Sequence, residues 1–120
     1  MDATNASAEE PLVPTADATK AISELDDLVQ AVLKLVPDSK PWQRQLQVHL
    51  RDADRGLQVL RMTIAFRREV REVAEAASSV HRVLGAANGY VAATRADINT
   101  KAAVRLAFEL GLRIERLLGF

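Results

Sequence analysis

Apolar residues recur along this chain in stripes with alternating steps of four and three, the spacing of helices that pack side by side. The first stripe is Ala18, Ile22, Leu25, Val29, Val32 and Val36, with Ala21, Leu28 and Leu35 widening it on one flank. Asp17, or Thr15 slightly earlier, supplies an N-cap, and Pro37 disfavours helical geometry at Val36. The pattern predicts a helix over about 17–36.

Ser39 or Lys40 caps a second helix, with Pro41 in its first turn. Two stripes follow: Leu46, Leu50, Ala53, Leu57, Leu60, Ile64, and then Val59, Thr63, Phe66, Val70, Val73, Ala77, Val80, Leu84. They overlap, yet Val59 and Leu60 are neighbours, so the two faces differ by about 100°. No clear stop precedes Gly85, and Gly85-Ala86-Ala87-Asn88-Gly89 reads as a turn with Gly85 as C-cap. The spacing therefore predicts one helix over 40–84 and another over about 90–118. The latter carries Val91, Ile98, Ala102, Leu106, Leu110, Ile114 and Leu117. Asn99 or Thr100 is an alternative start for a shorter last helix.

The fold class expected is all-α: three helices, in which two shorter helices fold back as antiparallel hairpins on a long central one of about 67 Å. A two-helix hairpin cannot enclose a core, so this arrangement predicts a dimeric helical bundle. The alternative is a compact four-helix bundle monomer with a break at Asp52-Ala53-Asp54-Arg55-Gly56. Residues 1–16, with Pro11 and Pro14, read as a flexible tail before a single helical domain over 17–120.

Composition narrows the class. Aromatics are only 4% of 120 residues, so a core must be aliphatic. Cysteine is absent, which excludes disulfides and thiolate chemistry. The N-terminus lacks the basic and apolar regions of a signal peptide, and no apolar run approaches the ~20 residues of a membrane span; a cytoplasmic protein is expected. The zero net charge conceals an asymmetry. Residues 1–39 hold two basic and eight acidic residues, whereas 40–120 hold 14 basic and eight acidic, balances of −6 and +6.

Candidate chemistry is sparse. His49 has Asp52 at i+3 and His81 has no carboxylate at i+3 or i+4, neither of which makes a metal motif. Glu69, Glu72 and Glu75 share a helix side, but Arg68 and Arg71 stand four residues before two of them, the spacing of solvated ion pairs. Ser78 and Ser79 lie near His81 without a third orienting group. Gly85 and Gly89 lack the strand and Lys-Ser/Thr of a phosphate loop. No catalytic residue, metal or cofactor is expected.

The functional expectation is a non-enzymatic helical protein–protein interaction module, an adaptor, scaffold or chaperone-like protein that self-associates as a homodimer. The apolar residues assigned to self-association or partner binding are Leu57, Leu60, Ile64, Phe66, Val70, Val73, Val80, Leu110, Ile114 and Leu117. The alternative is an Arg-rich helical regulator of DNA or RNA. Twelve of the 16 basic residues are arginine, and Arg44, Arg51, Arg55, Arg61, Arg67, Arg68 and Arg71 form the candidate anion-binding set. Overall neutrality and the lack of interleaved aromatics weigh against nucleic acid.

Overall fold

The computed structural model describes residues 15–119. Most of the expected tail therefore lies outside the described residues. Helix α1 spans Ala16–Leu35, α2 Pro41–Ala65, α3 Val70–Ala92 and α4 Ile98–Leu118. The all-α class holds, and the architecture is the four-helix alternative rather than three helices on a long rod.

The first turn follows the sequence logic. The Thr15 hydroxyl oxygen accepts the Ala18 N–H at 3.2 Å and caps α1. Val36 turns extended (ψ 117°), as the following proline requires. Its carbonyl is not left bare: buried Gln47 donates Nε2–H to it at 2.9 Å. Gln43 Oε1 accepts the Lys40 N–H at 2.9 Å and the Ser39 hydroxyl at 3.1 Å, which fixes the entry to α2.

The expected helix over 40–84 is broken, and not at 52–56. The Asp52–Gly56 segment is helical, and Gly56 admits α3: a Cβ there would lie 3.2 Å from Val80 Cγ2. The break falls at residues 66–69. Arg67 adopts a left-handed conformation (φ 53°). Its N–H bonds the Ile64 carbonyl at 3.0 Å, and the Arg68 N–H bonds the Thr63 carbonyl at 3.1 Å. These two bonds are the Schellman termination, built here around arginine instead of the usual glycine.

The expected turn at 85–89 is the interior of α3. Gly85 sits where the Phe108 ring presses on the helix, with a Cβ position 3.3 Å from its Cε1. The glycine serves close approach, not termination. The chain turns after Ala92 instead, and Asp97 caps α4 by accepting the Thr100 N–H at 3.1 Å and hydroxyl at 2.6 Å. The shorter last helix thus starts one residue before Asn99.

The four helices run alternately up and down. Each packs on its two sequence or ring neighbours, α4 closing back on α1, and among the described residues the backbones of the diagonal pairs do not come close. The core is aliphatic and forms two blocks stacked along the axis. One is built around Leu25, Leu57, Leu60, Val73, Val80 and Ile114. The other lies at the end holding the α1–α2 and α3–α4 turns, around Val32, Leu46, Leu50, Val91 and Val104. The stripe expected on the last helix is displaced. Val104, Ala107, Gly111, Ile114 and Leu118 face inward, while Ile98, Leu106 and Leu117 are exposed. A closed four-helix ring covers the edges that two-helix hairpins would leave bare, so the fold does not by itself require a second copy.

Candidate functional site

The ten apolar residues expected to bind partners divide by burial. Leu57, Leu60, Val73, Val80 and Ile114 are fully buried in one chain's own core and are not a partner surface. Ile64, Val70 and Leu110 are half-buried. Phe66 is 70% exposed and Leu117 37%. Sequence reasoning missed two of the more outward apolar residues, Val48 and Met62, along with the outward placement of Leu35, Val59, Ile98 and Leu106.

The most continuous outward feature lies on α2. At 100° per residue, Val48, Val59, Met62 and Phe66 fall within about 40° of the direction opposite Leu57. Their exposures run from 47% to 70%. Val59, Met62, Thr63 and Phe66 line a shallow groove bounded by Arg68 and Glu72. The Thr63 hydroxyl donates to the Val59 carbonyl at 2.6 Å, which satisfies its polarity within the helix. Arg68 grips Glu72 with two hydrogen bonds, Nε at 2.6 Å and a guanidinium NH2 at 3.2 Å. The hydrogen bond and the charge of this pair hold the Glu72 carboxyl below its ordinary range and Arg68 above its own.

The seven arginines do not form one patch. Arg44, Arg51 and Arg55 share the outer face of α2 with Val48 and are exposed. Arg44 reaches the Asp38 carbonyl at 3.0 Å, Arg51 reaches Gln47 Oε1 at 3.4 Å, and Arg55 pairs with Asp52. Arg61 turns toward α1 and pairs with Asp26 at 3.3 Å. Arg67 occupies the left-handed turn, and Arg71 lines a separate hollow with Glu75, Glu115 and Arg116.

The histidines take part in packing. His49 meets Gln45 at 3.4 Å and the Tyr90 ring at 5.5 Å between centroids, whereas Asp52 is engaged by Arg55. His81 finds a partner invisible to helical spacing: Glu115 of α4, at 3.0 Å from Nδ1. Its ring stacks on Phe108 at 5.1 Å. The pair clamps α3 to α4. Among the described residues no group of three His, Cys, Asp or Glu is placed to hold a metal ion. No described helix is long and apolar enough to cross a membrane.

No protein-family model, curated protein or solved structure matches the chain.

Proposed function

We propose that this chain is a non-enzymatic helical interaction module that binds another polypeptide along the outer face of α2 and also associates with copies of itself. The observation that carries the reading is the α2 stripe. The inward face of that helix is already filled by Leu46, Leu50, Ala53, Leu57 and Leu60, yet the opposite face repeats large apolar residues near heptad spacing. Val59, Met62 and Phe66 adjoin one another in the groove, with Val48 about three turns away beyond Arg55 and Arg51, and an exposed apolar cluster of this kind supports an interaction site. Arg44, Arg51 and Arg55 on the same face select the partner's chemistry: an acidic amphipathic helix, whose apolar residues meet Val59, Met62 and Phe66. The absence of cysteine fits a cytoplasmic setting.

Selection of a displayed random-peptide library against the folded protein tests this. Enrichment of acidic sequences with apolar residues at i, i+3/i+4 and i+7 is expected, and Met62→Glu should abolish it. Enrichment indifferent to that substitution, or none at all, refutes the reading.

The alignment of Arg44, Arg51 and Arg55 gives a second reading, an anionic nucleic acid. Three phosphate contacts would produce a salt slope of only about −3 for duplex DNA. A measured slope of that size with DNA, lost in Arg51→Gln, would favour it over the polypeptide.

A further inference from the structure

A second face, on the side of the ring where α4 closes against α1, also carries apolar residues. On α4, Phe108 marks the side turned to α3 through its contacts with His81 and Gly85. Leu106, Leu110 and Leu117 lie on the other side of the inward stripe, toward α1. On α1, Asp26 and Gln30 mark the side turned to α2 through Arg61 and Asp54. Leu28, Ala31 and Leu35 lie opposite, toward α4. Leu35 is 80% exposed and Leu106 49%, while Leu28 and Leu110 are half-buried at the seam.

This face carries charges of both signs, with Lys20 exposed on α1 one turn before Glu24. Glu24 and Asp27 are exposed on α1, and Arg113 is exposed on α4. Among the described residues none of the three is in an ion pair. Leu35 borders a hollow shared with Asn99 and Thr100. That sets the level of the two antiparallel helices and places Glu24 about level with Leu110, one turn from Arg113.

We propose that a second copy of this chain docks on the α1–α4 face, related by a two-fold axis parallel to the helices, so that α1 of each copy lies on α4 of the other. The proposal rests on the self-association in the reading above and gives it a surface. The symmetry lays Leu106 and Leu117 against the α1 side of the second molecule. Each Arg113 comes to Glu24 and Asp27 across the interface, twice over. The helices have 20 and 21 residues. Two such helices side by side present about 30 × 20 Å, so roughly 1,200 Å² is buried in total, the low end for a specific dimer. A weak dimer that exchanges with monomer is the expected outcome. The two α2 stripes then point away from the interface on opposite sides, and the dimer is bivalent for its polypeptide partner.

Light scattering of the full chain across micromolar concentrations tests this, with circular dichroism confirming that each variant folds. The wild type should move from monomer to dimer mass. Leu106→Glu should weaken dimerisation by about tenfold or more, and Met62→Glu should leave it unchanged. Arg113→Glu alone and the double variant Glu24→Arg/Asp27→Arg alone should each be weakened, whereas their equimolar mixture should recover a heterodimer. A dimer indifferent to Leu106→Glu, or no recovery in the mixture, overturns this face while self-association stands. A wild type that stays monomeric overturns both, and leaves the α2 reading to be judged by peptide selection.

Discussion

Arg67→Gly addresses the feature that decides the architecture. Arg67 is the only described non-glycine residue with positive φ, at 53°. Its side chain makes no ion pair among the described residues, so the substitution acts through the backbone. The left-handed conformation costs an L-residue roughly 1–2 kcal/mol. Glycine relieves that but adds freedom to the unfolded chain worth about 0.5–1 kcal/mol. The expected net gain is about 0.5–1 kcal/mol, and for a domain of this size Tm should rise by roughly 2–6 °C. Had residues 40–84 formed one helix, glycine in its interior would cost about 1 kcal/mol and Tm would fall. The sign therefore separates the two folds. Thermal melts followed by circular dichroism, with urea unfolding to confirm an unchanged m-value, read it directly. A lowered Tm refutes the break at Arg67.

The turn expected at 85–89 has a matching test. Gly89 sits inside α3, and a Cβ added to it would meet nothing within 4 Å, so Gly89→Ala should stabilise by roughly 0.5–1 kcal/mol; a loss measured by urea unfolding would mean the residue ends a helix. Leu57→Ala, at a fully buried position, should cost about 2–5 kcal/mol, while Phe66→Ala at the exposed end of the α2 stripe should stay within about 0.5 kcal/mol; equal effects would overturn the division into core and surface. The Thr100 hydroxyl and N–H hold the Asp97 carboxyl below its ordinary range. Its stabilising effect is complete above the unfolded pKa and is lost as pH falls through the depressed folded value. Asp97→Asn should cap as well at neutral pH and remove that part of the acid dependence below about pH 4, whereas Asp97→Ala should lower Tm at neutral pH; identical acid profiles for wild type and Asn variant would contradict the assignment.

Much of the interior was legible because large aliphatic residues marked it. The α1 stripe from Ala18 to Val36 is buried as read, and so are Leu46 to Leu60 and Val73 to Leu84. The change of face between those last two sets was visible, but its cause was not. A helix break is read from glycine, proline or asparagine, and Phe66-Arg67-Arg68-Glu69 offers none. The chain terminates α2 with arginine in a glycine's place. By spacing alone Val59, Thr63 and Phe66 prolong the α3 stripe backwards, although Val59 and half-buried Thr63 belong to α2, exposed Phe66 is its C-cap, and none of the three is in the core. The clamp between His81 and Glu115 was beyond reach for a simpler reason: it joins residues on different helices, and spacing within one helix carries no trace of it.

The last helix shows how size can mislead about direction. Its true inward set includes Ala107 and Gly111, small because α3 comes close. A Cβ on Gly111 would lie 3.0 Å from Leu84 and 3.5 Å from the His81 backbone. Bulk on that face would force the helices apart, so bulk was free to accumulate on the flank, in Leu106, Leu110 and Leu117. A reading that follows the largest apolar residues therefore traces the flank and takes it for the core. The same error carries information. Core packing between α3 and α4 does not require leucines at 106 and 117, which stay 49% and 37% exposed. Their presence on a face where Glu24, Asp27 and Arg113 make no ion pair among the described residues is the observation on which the proposed dimer face rests.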